Sequence, residues 1–181
     1  KTVLRAVENN VDVEVVESSI LPIENELNSK WIEIIRGNDT LRAAVEAMEG
    51  MPWWRTLMDM SADSTLQELE DALDRHYYSN ALSAVKSADA ASNKLRRFLQ
   101  MEVDQRNIVN VLRANRENLS NESRSNLFLP GGNLFSGAQL RTAASMTENS
   151  SLLDLLRRKS KMDVNSLEES LKESEKLKTL D

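Results

Sequence analysis

The four residues Val-Leu-Arg-Ala occur twice in this chain, at Val3–Ala6 and again at Val111–Ala114. The two copies lie 108 residues apart. The same spacing aligns Leu21-Pro22 with Leu129-Pro130. One spacing that holds from residue 3 to residue 22 is hard to obtain by chance, and self-similarity at a fixed period is typical of repeated supersecondary units. The sequence therefore predicts that the chain is built from repeated structural units.

Composition and periodicity indicate that these units are helical. Hydrophobic residues make up 40% of the chain and charged residues 29%, with only five glycines and three prolines. Such a chain is rich in good helix formers and poor in helix breakers. Apolar residues at helical spacing predict one long helix after Thr65 and a second over residues 88–116. We therefore predict an all-α fold of repeated units of about 108 residues with long paired helices.

One segment gives a conflicting signal. Val11, Val13 and Val15 alternate with acidic residues, which taken alone is typical of a β-strand. The aligned segment 119–124 does not alternate. The aligned residue pair Asp12 and Ser120 are both common helix N-caps. We therefore predict a short helix that begins after Asp12.

The residue composition argues against most kinds of catalytic or ligand-binding site. The chain has no cysteine and a single histidine, His76, whose neighbours do not form a Glu-x-x-His pattern. The Gly131-Gly132 pair lacks the spacing of a phosphate-binding loop. A net charge of −6 without a basic block does not favour nucleic acid. We predict no catalytic residue, no cofactor, no metal site and no nucleic-acid partner.

Polar residues set into the second long helix have two interpretations. Asp104 and Asn107 share a helix face, and the spacing of three continues to Arg113. In one interpretation these groups fix the register of neighbouring helices and cap loop carbonyls, because buried polar groups must be hydrogen-bonded. In the other, Asn107 and Arg113 face a partner. Trp53-Trp54 likewise fits either a core or an interface.

Several motifs together resemble a known family. The segment Glu102–Arg113 is similar to a motif of the form acidic-Ile-Asp-Leu-x-Asn-Ile-Lys-x-Leu-Leu-Arg. Phe128–Gly132 resembles a Leu-Ile-Pro-Gly-Gly turn, and Leu69–Tyr78 resembles a Leu-Glu-x-Ala-Leu-Asp-x-x-Tyr-Tyr helix. Lys1–Ala6 matches the end of an earlier copy. These motifs belong to the C subunits of archaeal A-type ATP synthases, whose counterparts in eukaryotic V-type ATPases are the d subunits.

The resemblance implies an arrangement of three helical units around a pseudo-threefold axis. By that comparison the chain is a truncated array. Residues 1–37 would be the end of the first unit, 38–146 a complete second unit, and 147–181 the start of a third. The first Leu21-Pro22 turn lacks the glycine pair, and Val109 stands where the family usually has lysine.

The resemblance also implies a function without catalysis. The family member is a central-stalk adaptor of a rotary ATP synthase, at the cytoplasmic face of the membrane, which joins the rotor shaft to the membrane proteolipid ring. Residues expected to bind partners or to stabilise the repeat are Arg5, Asp104, Asn107, Arg113, Pro130, Gly131 and Gly132.

Two other functions fit the composition. The chain could be an unrelated all-helical interaction scaffold, in which case the aligned copies would differ in structure. An enzyme would require carboxylates clustered around a metal. Apolar surface at the chain ends also predicts a possible dimer.

Overall fold

The computed structural model describes residues 1–19, 26–86, 89–159 and 164–178. These residues form α-helices joined by turns, and none of them forms a β-strand. The helices are α1 (Thr2–Glu8), α2 (Val13–Ser19), α3 (Glu26–Gly37), α4 (Leu41–Ala47), α5 (Trp54–Met58), α6 (Leu66–Ala84), α7 (Ala90–Arg116), α8 (Asn121–Asn126), α9 (Gly137–Ala144), α10 (Asn149–Lys159) and α11 (Val164–Lys178). The prediction of an all-α fold is confirmed.

The segment with alternating valines is helical. It forms α2, in which Val16 is buried at 4% exposure and Val15 is exposed. A helix places these two neighbours on different faces, so only one of them reaches the core. The predicted short helix is therefore confirmed. The predicted turn at Leu21-Pro22 lies outside the described residues.

Side-chain caps set where the main helices begin. Thr40 accepts a hydrogen bond from the backbone N–H three residues on and starts α4. Thr65 and Glu68 exchange side-chain to backbone hydrogen bonds at 2.8 and 3.3 Å, which form a capping box before α6. Asp89 caps α7 with a 2.7 Å bond. The 27 residues of α7 extend about 40 Å at 1.5 Å per residue.

The first compact unit comprises Lys1–Tyr77. Its core gathers apolar side chains from α1 to α6, and Leu4, Val45 and Leu57 are at most 1% exposed. Each such side chain contributes about 1.5–3 kcal/mol when it is fully buried. The rings of Trp31 and Trp53 stack with their centroids 6.1 Å apart. Packing among short helices thus stabilises this unit.

The second compact unit comprises Tyr78–Asp181 and has two apolar clusters. One cluster joins the end of α6 to the first half of α7 and to Leu129. The other packs α10 against the second half of α7, with Leu152 and Leu156 fully buried. Compactness divides the chain at residues 77 and 78. The boundaries after residues 37 and 146 describe copies in the sequence and stay a prediction.

The C-terminal ends of α1 and α7 have matching backbone geometry. Asn10 and Asn118 adopt left-handed conformations with φ of +49° and +51°. The next residue, Val11 or Leu119, donates its N–H to the carbonyl five residues back, at 2.9 and 3.0 Å. Each asparagine N–H bonds to the carbonyl three residues back. Both ends are Schellman motifs with asparagine at the position that glycine usually occupies.

Candidate functional site

A row of polar side chains on α7 holds the turn that follows α8. The Asn107 side chain is 1% exposed and makes two bonds to the Leu129 backbone. Its Nδ2 donates to the Leu129 carbonyl at 3.0 Å, and its Oδ1 accepts from the Leu129 N–H at 2.8 Å. One helical turn on, Asn110 donates to the Leu127 carbonyl at 2.6 Å. These amides satisfy backbone groups that would otherwise be buried without partners.

Asp104 extends this row to the far side of the turn. Its Oδ2 accepts backbone N–H bonds from Asn133 at 2.9 Å and from Leu134 at 2.8 Å. The residue is 8% exposed, so these charge-assisted bonds lie away from water. Asp104, Asn107 and Asn110 therefore clamp both ends of the turn onto one face of α7. We call this set of contacts the turn clamp.

The glycine pair lets the turn approach the helices closely. Gly131 has a φ of +95°, and a Cβ atom there would lie 2.4 Å from Leu82 Cδ1. A Cβ on Gly132 would lie 2.2 Å from Asp104 Oδ1. Pro130, between Leu129 and the glycines, is exposed. The predicted site residues Asp104, Asn107 and the Pro-Gly-Gly segment are thus brought together on one side of α7.

Arg5 belongs to the first unit and makes an ion pair with α6. Its Nε and Nη2 donate to the two carboxylate oxygens of Glu70 at 2.5 and 2.7 Å. The Arg5 hydrogen bond holds the pKa of Glu70 below its usual value, although burial of the carboxylate opposes that shift. Lys1 and Asp74 form a second pair at 2.7 Å. Together these contacts fasten α1 along α6.

Arg113 lies near the C-terminal end of α7, two turns beyond Asn107. It lines a groove of about 810 Å³ between α7, the segment before α10, and α11. Glu168 and Lys172 lie on the opposite wall. Glu168 accepts from Lys172 at 2.7 Å and also pairs with Arg157. Arg113 is therefore separate from the turn clamp.

Arg124 is a buried side chain that joins several segments by hydrogen bonds, a role that the sequence did not predict. It is 3% exposed and donates to the carbonyls of Leu119 at 2.7 Å, Ala114 at 2.8 Å and Met146 at 3.0 Å. It also donates to Asn115 Oδ1 at 2.6 Å. A single guanidinium thus joins α8 to the end of α7, to the segment between α7 and α8, and to the segment after α9. A lone arginine in a polar helix gives no sequence signal of this role.

The remaining candidates have local structural contacts. His76 Nδ1 lies 3.0 Å from Thr56 Oγ1, and both tryptophans of the Trp53-Trp54 pair are partly buried. Over the described parts of the chain, no group of three or more His, Asp or Glu residues is arranged to hold a metal ion. Within the same residues, no helix has the length and apolar content needed to span a bilayer.

Comparison with known proteins gives a consistent set of relatives. The family of ATP synthase (C/AC39) subunits matches residues 1–181. The chain is similar to the A-type ATP synthase C subunit of Halorubrum lacusprofundi, at 30% identity over 153 residues, 82% of this chain and 43% of the relative. The corresponding C subunit of Archaeoglobus fulgidus is 26% identical over 144 residues, 80% of this chain and 41% of its own length. No solved structure gives a significant match.

The fold and the turn clamp describe a helical chain in which Asp104 and Asn107 bind backbone groups of the same chain. The chain belongs to the ATP synthase (C/AC39) subunit family. The resemblance recognised at Glu102–Arg113 and Phe128–Gly132 is thereby confirmed. The chain spans about two fifths of the length of the curated relatives that it matches.

Proposed function

We propose that this chain acts in a non-catalytic central-stalk adaptor of a rotary A/V-type ATP synthase. The adaptor would couple the rotor shaft to the membrane proteolipid ring. The observation that carries the proposal is the family match over residues 1–181, together with curated relatives that are named as C subunits of A-type ATP synthases. In this role the chain would lie peripherally, at the cytoplasmic face of the membrane.

The contacts within the second unit suit a part that transmits torque. Such a part must resist twisting, and its stiffness has to come from packed helices and fixed connections. The helix α7 has 27 residues, and the turn clamp fixes the following loop to it through backbone hydrogen bonds. Arg124 fixes the end of the same helix to its neighbours. These features support a rigid mechanical role.

We further infer that the chain contains duplicated helical units, with copies at residues 1–37, 38–146 and 147–181 in a pseudo-threefold arrangement. The matching Schellman motifs at Asn10 and Asn118 support this inference because they lie 108 residues apart, the spacing of the sequence repeat. The order of helix contacts agrees in part, since α1 also contacts α3. Helix α1 contacts α2 and α4, and α7 contacts α8 and α10.

Co-purification tests the proposed function. The tagged full-length gene product would be expressed together with the shaft and ring subunits of the same organism. We expect both subunits to be retained on the affinity resin and to elute with the tagged protein. An unrelated helical protein with the same tag is the control for non-specific retention. Failure to retain either of the two would contradict the adaptor function.

An experimental structure tests the duplication. The segment α1–α2 should superimpose on the end of α7 together with α8, and different shapes would refute the repeat and favour an unrelated helical scaffold. A dimer of this chain stays a prediction, which light scattering at high concentration can test. A clean monomer there would exclude it.

A further inference from the structure

One face of α7 exposes a row of large apolar side chains. Leu95, Phe98, Met101 and Val109 are 50–60% exposed, and they are four of the six large hydrophobic residues that are exposed among the described residues. With Gln105, which is also exposed, they recur every three or four residues. The average spacing of 3.5 residues is that of a coiled-coil seam. The row extends over about 21 Å of helix.

The row lies opposite the buried side of the same helix. Leu99 and Val103 face the cluster formed with α6, and Asn107 faces the turn that it clamps. These contacts hold α7 in place without any contribution from Phe98 or Met101. The exposed row is therefore presented on a helix that is already fixed within its unit, and a partner could bind it without reordering that helix.

The helix also has a charge opposite to that of the chain. Between residues 90 and 116 there are six lysines and arginines and two acidic residues, a net charge of +4, whereas the chain has a net charge of −6. Lys94 and Arg97 are exposed, and each precedes a member of the row, Phe98 or Met101, by four residues. Such pairs are neighbours on a helix surface. Basic side chains therefore border the row at Phe98 and Met101, where the acidic Glu102 also follows Phe98 by four residues.

The charges beside the apolar row indicate which kind of partner this face of α7 binds. Two copies of α7 packed antiparallel through Met101 would bring Arg97 of each near Arg106 of the other, and a parallel pair would place Lys94 against Lys94. Like charges oppose both arrangements. A lipid surface is typically bound by clusters of about four to eight basic residues. Arg96 and Arg106 keep their charge, but their guanidinium groups are directed at the Leu82 carbonyl, at 2.8 Å, and at the Tyr78 hydroxyl, at 2.7 Å. Lys94 and Arg97 are then the two basic side chains beside Phe98 and Met101, fewer than such a cluster contains.

We propose that the α7 face formed by Leu95, Phe98, Met101 and Val109 binds a helix of a partner protein. The partner helix has an apolar seam bordered by glutamate or aspartate, which pairs with Lys94 and Arg97. The proposal concerns this surface and does not depend on the stalk function. Retention of shaft and ring subunits and binding of such a helix are separate measurements, and either can fail alone.

A designed peptide tests the proposal. The probe is a fluorescent helical peptide of about three heptads with leucine at the seam and glutamate beside it, and its matched control has lysine in place of glutamate. Both are titrated with the whole chain, and binding is followed by fluorescence anisotropy. We expect the glutamate peptide to bind at least about tenfold more tightly than the lysine peptide.

Variants of the exposed face then locate the binding site. Phe98→Ser should weaken binding of the glutamate peptide about tenfold, whereas Val15→Ser, at an equally exposed valine of the first unit, should leave it unchanged. The double variant Lys94→Glu, Arg97→Glu should reverse the preference toward the lysine peptide. Circular dichroism checks that each variant keeps its helix content.

Other results would overturn the proposal. Equal affinity for the two peptides, no binding of either, or an unchanged preference in the double variant would each do so. Binding to vesicles of anionic phospholipid that Phe98→Ser abolishes would assign the face to a membrane. Sedimentation that shows self-association lost in Phe98→Ser would assign it to a second copy of the chain.

Discussion

The most informative perturbation of the turn clamp is Asn107→Ala. Asn107 is almost fully buried, and its amide is the partner of both the N–H and the carbonyl of Leu129. Alanine keeps the helix because it has the highest helix propensity, so α7 itself should persist. The variant instead removes both hydrogen bonds to the backbone of Leu129, a residue that is only 2% exposed. Its effect therefore reports on the clamp.

The expected loss follows from those two groups. Each buried polar group left without a partner costs about 1–3 kcal/mol, so the pair should lower the free energy of unfolding by about 2–6 kcal/mol. For a unit of roughly 100 residues, a change of 1 kcal/mol shifts the melting temperature by about 4 °C, which predicts a decrease of about 8–24 °C. The Leu129 amide should also lose protection from hydrogen exchange.

Urea and thermal unfolding followed by circular dichroism measure the loss, and hydrogen exchange by NMR measures it locally. Gln105→Ala is the matched control, since Gln105 is exposed on the same helix, and it should change stability by at most about 0.5 kcal/mol. Asn110→Ala removes one hydrogen bond, so its loss in the free energy of unfolding should lie between those of Asn107→Ala and Gln105→Ala. A loss in Asn107→Ala no larger than in Gln105→Ala, with the Leu129 amide still protected, would refute this account of the turn.

Three further predictions concern the glycine pair and the two arginine contacts. Gly132→Ala should destabilise the second unit by about 1–3 kcal/mol, since its Cβ would meet Asp104; urea unfolding measures it. Arg124→Met should cost about 2–6 kcal/mol, because the carbonyls of Leu119 and Met146 lose a buried donor, and thermal unfolding shows this. The Arg5 bond lowers the pKa of Glu70, so its stabilisation should be complete above the unfolded value near 4.3 and be lost as the pH falls through the folded value. In Glu70→Gln, the free energy of unfolding should lack this part of its decrease at low pH, which unfolding measured over a series of pH values shows.

The fold class was predictable because helix formation depends mostly on local sequence. The long helix predicted after Thr65 begins at a capping box of Thr65 and Glu68, and the helix predicted over 88–116 begins at Ala90. The alternating valines near Val13 gave a misleading strand signal. Comparison with the aligned segment after Ser120 resolved it, because the second copy has no alternation.

The turn clamp was predictable only in part. Spacing of three along α7 placed Asp104 and Asn107 on one face, but it could not show which backbone groups they bind. Arg124 gave no signal, because its acceptors come from segments that meet only in the folded unit. The sequence also could not show why two glycines are needed here, because the groups that exclude a Cβ, Leu82 and Asp104, meet the turn only in the folded chain.

The aligned copies show how far a sequence repeat determines contacts. Arg5 pairs with Glu70. Glu168 matches Glu70 because both stand in a Leu-Glu-x-x-Leu segment, and it lines one groove with Arg113, which matches Arg5. Glu168, however, bonds to cations of α10 and α11. The spacing that aligns α1 with α7 is 108 residues, whereas the spacing that aligns the two glutamates is 98, so the helices that carry them are connected differently. A Schellman motif depends on a few adjacent residues and can persist through such changes. An ion pair between helices depends on every insertion that displaces one of them.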